Sequence, residues 1–408
     1  MMTQSVRRFP ASLLAAMLAL PIGLAACQSG NEGEGTLGAV AGDATAAQAA
    51  QAAPPAQSAS GPAKASESLG KGPVKVAMIL PLSAGGAAGD RGRKIRDAAA
   101  LAMADLGNDL ITLNVEDTGG DDARARTLTT GALASGAKLV IGPSEPGAVR
   151  QLGSVSGSNR PLVLALADNY AGAPGVYSVR LNEADSAAAG AAAIAAKGAR
   201  KFVLFMAEGE AGKATEKRVA NSLSIYGASL AVALPFGPST GGSEKAVADM
   251  QALVGDPQAI VVAGGSANPA PLVAALRAKG MLGKDVSLVG SNRWLEHGID
   301  DPTLQGAYIA TLDSAEIGPI AERFRKTYNY EPDVNVAYGY DTVALAAGIA
   351  SALGPKGFTK KVIESPTGFR GSTGVFRFRE DGAGERAMPF FRVDKGKLKL
   401  VEKSTSGF

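Results

Sequence analysis

The residues able to do chemistry in this chain are few, and most follow directly on short apolar runs. Ser83, Ser144, Asp168 with Asn169, Glu208, Ser266, and Asn292 with Arg293 each stand where such a run ends. Hydroxyls and carboxamides at these places can hydrogen-bond a small polar molecule, while Asp168 could take an ammonium and Arg293 a carboxylate. Helix caps and turn formers occupy the same places, so each residue taken singly also has that simpler reading. Ser144-Glu145-Pro146 reads as a helix start with proline in its first turn, where free N–H groups would face an anion.

Catalytic chemistry is poorly supplied. His297 is the only histidine and Cys27 the only cysteine, which removes most nucleophile–histidine triads and histidine- or cysteine-based metal sites. The glycine-rich stretch "AGGAAGDRGRK" (84–94) lacks the ending and spacing of a phosphate-binding loop. The acidic pairs Asp121-Asp122 and Asp300-Asp301 stand at expected helix starts, where carboxylates favour the dipole. Trp294 and His297 follow a strand end and either border a cleft there or belong to an ordinary surface loop. No catalytic residue, metal or cofactor is expected, and the chain is read as a binding protein.

The elements that must position these residues alternate. "VKVAMILPL" (74–82) is a near-continuous apolar run, as in a strand buried on both faces. Residues 93–107 place Ile95, Ala98, Ala99, Ala102 and Leu106 at helical spacing. "ITLNVEDT" (111–118) alternates as a strand, and 121–136 is helical again. Further short strands are expected at 138–144, 161–168, 201–209, 259–265 and 286–292. Strands alternating with helices predict parallel sheets covered on both faces, a doubly wound α/β layout. Ligands of such sheets bind beyond the carboxyl ends of the strands, where the polar residues above lie.

The first residues differ. Arg7 and Arg8 precede an apolar, Ala- and Leu-rich stretch (11–26) that ends in small residues, the pattern of a secretory signal peptide. That stretch is short for a membrane-spanning helix, which needs about 20 residues. Leu24-Ala25-Ala26-Cys27 resembles the bacterial lipobox, which implies cleavage after residue 26 and acylation of the Cys27 sulfur. One thiol is then needed once, as the point of lipid attachment. Residues 28–72 have no aromatic and few large aliphatic side chains. They read as a disordered tether with a root-mean-square span of roughly 35–40 Å. Net charge is +3 at pH 7, and the two signal-peptide arginines account for most of it. With no basic block, nucleic acid is not an expected partner.

Several stretches together carry a family resemblance. "VKVAMILPLS", "GRKIRDAAALAMADL", "KLVIGPSEPGAVRQL", "YGYDTVALAAGIASAL" and the closing "FRGSTGVFRFREDGAGERAMPFFRVDKGKL" resemble the leucine-binding-protein-like, type I family of periplasmic solute-binding proteins. The resemblance implies two lobes joined by three crossing strands. Lobe one would be 73–181 plus 313–368 and lobe two 182–312 plus 369–408. Crossings would then fall near Arg180-Leu181, Leu312-Asp313 and Phe369-Gly371. In the amino-acid-binding members a serine or threonine stands where this chain has Asp168, and a tyrosine where it has Ala211. Another aromatic stands at Ser266 and an acidic residue at Asn292. "RPLVLALADNYAGAPGVYSVRLNEADSA" and "SNRW…DPTLQGAYIA" resemble the penicillin-binding protein activators, lipoproteins of the same fold that stimulate peptidoglycan synthases. Gln28, beside the lipidated cysteine, favours the outer membrane in enteric-type sorting. The expectation is a lipid-anchored periplasmic regulator of a bifunctional penicillin-binding protein. The alternative is the receptor of an ABC permease for an amino acid or similar small polar solute.

Overall fold

A computed structural model of the chain describes residues 66–154, 162–237, 242–313 and 317–404. The signal peptide, Cys27 and most of the expected tether lie outside these residues. The first lobe is built from β1 (Ser66–Leu69), β2 (Val74–Leu80), α1 (Gly86–Ala102), β3 (Ile111–Asp117), α2 (Asp122–Ala134), β4 (Leu139–Ile141), α3 (Pro146–Gly153), β5 (Val163–Ala165) and β6 (Val176–Ser178). Its sheet runs β1-β3-β2-β4-β5-β6, with β1 antiparallel and the other neighbours parallel. Apolar clusters fill both faces of this sheet, as the unbroken apolar strands predict.

Strand β1 corrects the expected tether, which ran to residue 72. Ser66–Leu69 pairs in register with Leu113–Glu116, and Glu67 meets Arg96 from α1 at 2.9 Å. Composition could not show this, because an edge strand is held mostly by its backbone and needs little apolar surface of its own.

The second lobe follows the first crossing with α4 (Glu183–Ala196), β7 (Lys201–Met206), α5 (Gly209–Ser224), β8 (Ser229–Pro235), α6 (Gly242–Leu253), β9 (Ala259–Ala263), α7 (Ala270–Ala278), β10 (Ser287–Gly290), the short α8 (Trp294–His297) and β11 (Tyr308–Ala310). The chain then returns to the first lobe with α9 (Gly318–Tyr328), α10 (Val334–Leu353) and α11 (Lys360–Ile363). Helix α10 lies on α1 at close range: a Cβ on Gly339 would stand 2.2 Å from the Ile95 carbonyl oxygen. Residues Val334–Gly357 are long and apolar enough to cross a membrane, but most of α10 is buried against the first sheet, as in a core helix.

Strands β12 (Phe369–Gly371), β13 (Gly374–Phe378) and β14 (Gly384–Arg386) form a separate three-stranded antiparallel sheet. Phe376 and Phe378 enter the first lobe's core beside Tyr177 and Val179, and Ser178 N–H donates to Gly382 O at 2.9 Å. The boundary expected at Phe369 thus falls within a sheet that packs on lobe one. Only β15 (Phe390–Asp394) and β16 (Lys397–Glu402) join the second sheet, whose order is β16-β15-β11-β10-β9-β7-β8. Apolar clusters again cover both faces. The fold is a two-lobed α/β structure with largely parallel sheets.

Candidate functional site

Residues at the carboxyl ends of β2, β3 and β4 form a connected polar rim on the first lobe. Asp117 Oδ1 accepts the Ser83 N–H at 3.1 Å and the Gly119 N–H at 2.9 Å. Burial pushes the Asp117 carboxyl up, but these hydrogen bonds outweigh it and hold the group below its usual range. Thr118 donates its hydroxyl to buried Glu145, whose other oxygen accepts the Ser144 N–H at 3.0 Å. Glu145 is pushed up by that burial, against the pull of the Thr118 bond. The helix start expected at Ser144-Glu145-Pro146 exists as α3. It is not open to an anion as expected, because Ala148 N–H already meets Asp122 Oδ1 at 2.8 Å.

Asp168 is held by two guanidiniums. Its Oδ1 lies 3.0 Å from Arg180 and its Oδ2 3.7 Å from Arg91. An ammonium would have to compete with both cations, so Asp168 is not the open acceptor that its position at the end of β5 suggests. Asn169 follows in a left-handed turn, φ 51°, a conformation that asparagine tolerates well.

The second lobe's rim centres on a residue that strand ends do not reveal. Glu183 opens α4 and is buried. It accepts the Gly265 N–H at 2.9 Å and the Ser291 hydroxyl at 2.8 Å. Burial pushes its carboxyl up, opposed by these bonds and by the charge of Arg293. Asn292 donates its N–H to Ser186 Oγ at 2.8 Å. Arg293 meets Glu296 at 2.9 Å. The Asn292 Oδ1 and the Arg293 Nε are buried without a partner. Ser266 is exposed. Trp294 is a core residue, 2% exposed, with its indole N–H on Val262 O at 3.1 Å, whereas His297 is exposed.

The lobes meet through charge. Asp185 on α4 lies 2.6 Å from Arg218 on α5, and Arg218 reaches Glu385 on β14 at 3.2 Å. Glu385 also meets Arg377 at 2.7 Å and Arg379 at 3.1 Å. Burial would push Glu385 up, but the arginines hold it below its usual range. Nearby, Arg386 at the end of β14 donates to Val179 O at 2.8 Å and lies 5.3 Å from the Tyr338 ring centre.

Beside this network runs a groove of about 370 Å³ between the lobes. It is walled by α4 and α5 of the second lobe, by the loop at Asn169 and Ala171, and by the β13–β14 turn at Arg379 to Ala383. Of the residues predicted from strand ends, only Asn169 lines it; Ser83, Ser144, Asp168, Ser266, Asn292 and Arg293 do not.

A family profile described as periplasmic binding protein matches residues 73–397. A search of curated proteins returned no match. Among solved structures, the chain is similar to a putative branched-chain amino acid ABC transporter from Rhodospirillum rubrum. Identity is 18% and TM-score 0.63, over 80% of this chain and 99% of that one. It is also similar to the LpoA (YraM) C-domain from Haemophilus influenzae, described as a regulator of PBP1A. There identity is 18% and TM-score 0.60, again over 80% and 99%. A third is the branched-chain amino acid binding protein LivJ from Streptococcus pneumoniae in complex with isoleucine, at 19% and 0.54, over 81% and 99%. At these identities the likeness speaks to the fold alone.

Proposed function

Because this chain belongs to the periplasmic binding protein family, we propose that it is a non-catalytic, lipid-anchored binding protein that regulates a bifunctional penicillin-binding protein. One observation carries this reading against solute capture. The two charged residues placed to hold an amino-acid zwitterion already have charged partners within the protein, Asp168 in Arg180 and Arg91, and Arg293, through a terminal guanidinium nitrogen, in Glu296. A zwitterion closed in a cleft needs both charges paired, or it carries a desolvation cost of several kcal/mol. The similarity to the PBP1A regulator's domain supports the choice of partner, while the similarity to LivJ and the interlobe groove support the second reading, a solute receptor of an ABC permease. The test is capture of detergent-solubilised envelope proteins on the immobilised full chain. Enrichment of a cell-wall synthase is the expected result. Recovery of an importer permease without a synthase, or a dissociation constant for free leucine, isoleucine or valine of about 1 μM or tighter, would overturn it in favour of the receptor.

The anchor is a proposal of its own. We propose that Cys27 is the acylated first residue and that Gln28 beside it favours the outer membrane. Replacing Cys27→Ser should move the chain from membrane to soluble fractions without altering its thermal unfolding. Retention of this variant on salt-washed membranes would rule the lipid anchor out.

A further inference from the structure

The charge of this chain is unevenly placed. Residues 390–404 hold five cations, Arg392, Lys395, Lys397, Lys399 and Lys403, against two acids, Asp394 and Glu402. Their net of +3 equals that of the whole chain, so all other residues together balance. These residues form the β15–β16 hairpin, and β16 is an edge strand of the second sheet. The turn at Lys395-Gly396 takes left-handed dihedrals at both positions, φ 50° and 73°, as a tight two-residue hairpin loop requires. All five cations are exposed.

The nearby acids do not cancel these cations. Glu402 is taken by Lys197, at the end of α4, at 3.2 Å. Asp394 stands opposite Lys397 in the ladder, and Asp300 backs the turn at Gly396. Arg392 and Lys399, by contrast, are direct cross-strand partners. Residues so paired have Cα atoms about 5 Å apart, and like charges there repel and weaken the ladder. Neither has an acidic partner within 4.0 Å among the described residues; Arg392 lies 5.9 Å from the Tyr308 ring centre instead. Further along the same strand, Leu400 and Val401 are 41% and 47% exposed. The edge strand therefore combines unpaired cations with aliphatic side chains open to solvent.

We propose that this hairpin docks the second lobe onto an anionic phospholipid surface. Headgroup phosphates meet the cations, while Leu400 and Val401 enter the interface and the lysine stems reach past them to the charged layer. A phosphate shared by Arg392 and Lys399 turns their mutual repulsion into a common attraction. Lys397 and Lys399 stand about 7 Å apart along the strand, so the cations form a row, which suits a surface of many anions rather than a single ion. An acidic protein segment would satisfy the cations, but its carboxylates would give the Leu400-Val401 pair nothing to bury against. The proposal goes beyond the anchor reading: an anchor fixes only where the tether ends, whereas the hairpin sets which face of the folded part meets the membrane. Its failure would leave acylation and synthase capture untouched.

The experiment is amide hydrogen exchange along β16 of the full chain, with vesicles of phosphatidylglycerol and, separately, of phosphatidylcholine. The Lys397–Glu402 amides should exchange about tenfold more slowly on the anionic vesicles than on the neutral ones. That slowing should vanish at about 0.5 M salt. A lipid anchor would hold the chain on both kinds of vesicle, so the difference between them isolates the hairpin. Reversing two exposed charges, Lys397→Glu with Lys399→Glu, should abolish the slowing and leave thermal unfolding unchanged. Lys399→Gln, a milder change, should lower it in part, and Leu400→Ser with Val401→Ser should lower it severalfold. Equal exchange on both vesicles, or full slowing in the charge-reversed chain, would overturn the docking. Full slowing in the serine pair would overturn the entry of the strand into the interface. The same slowing with free polyglutamate would reassign the hairpin to an acidic protein, and with inorganic phosphate to a single ion; either result overturns the lipid surface.

Discussion

Arg218→Leu is expected to destabilise the protein by about 3–5 kcal/mol, the loss found when one member of a buried ion network is removed. Arg218 is the cation that both Asp185 and Glu385 share, at 2.6 and 3.2 Å. The side chain of Asp185 is 9% exposed, so without the guanidinium it must either stay buried as an uncompensated anion or take up a proton. Burial already pushes Asp185 up, and Arg218 is the main influence opposing it. A carboxyl whose folded pKa stands above its unfolded value contributes stability that is complete in acid and lost as pH rises through the folded pKa. Removing Arg218 raises that pKa further. The variant's deficit should therefore be small in acid and grow as pH rises towards neutrality. Glu385 keeps Arg377 and Arg379 and contributes less. Denaturant unfolding of wild type and variant at several pH values is the check. A deficit below about 1 kcal/mol at neutral pH, the level of a surface pair, would show that the network does not join the lobes in solution. Arg218→Lys should lie between, since one ammonium lacks the fork that spans Asp185 and Glu385.

That network also marks where sequence reasoning stops. The strands were legible because burial on both faces leaves an unbroken apolar run: all seven residues of β2 lie within the predicted stretch, and six are buried. Helix α1 was legible from the spacing of Ile95, Ala98, Ala99 and Ala102, which are all buried, but Leu106, read on the same face, lies beyond the end of α1 and is 47% exposed. The alternation in "GVFRF" says that Phe376 and Phe378 share a face, but either lobe could satisfy it. Only contact with Tyr177 and Val179 assigns that face to the first lobe. Glu183 stands in the first turn of α4, where the dipole favours an acid, and follows no strand end, so the strand-end rule does not mark it. Its role depends on Gly265 and Ser291, 82 and 108 residues further along the chain. The strand-end rule found Asp168 and Arg293, yet it could not see that Arg91, Arg180 and Glu296 stand on them. Local pattern locates a rim; the pairs made in the fold, across the lobe at Asp168 and three residues away at Arg293, decide which of its charges remain available.

Trp294 shows the same limit at a single position, and its removal carries the other large effect. The sequence left two places open for it, a cleft border or a surface loop, and the indole occupies neither. It is 2% exposed and packs in the second lobe's core with Val262 and Leu272. Gly290 leaves room for it, since a Cβ there would stand 2.6 Å from the ring. The indole N–H reaches Val262 O at 3.1 Å, and the Trp294 backbone N–H holds Ser291 O at 3.1 Å. Ser291 in turn supplies the hydroxyl that Glu183 accepts. Trp294→Ala should therefore cost about 3–5 kcal/mol through the cavity it leaves. It should also loosen the turn that carries Ser291 and Asn292, so that the Gly265 amide, bonded to Glu183, exchanges with solvent faster than the core strands do. Trp294→Phe keeps most of the volume and loses the donor to Val262, a change of about 1 kcal/mol. Unfolding free energies and amide exchange at Gly265 test both variants together. An alanine variant as stable as wild type would return Trp294 to the surface. A destabilised variant with Gly265 still protected would separate the core beneath the rim from the rim itself.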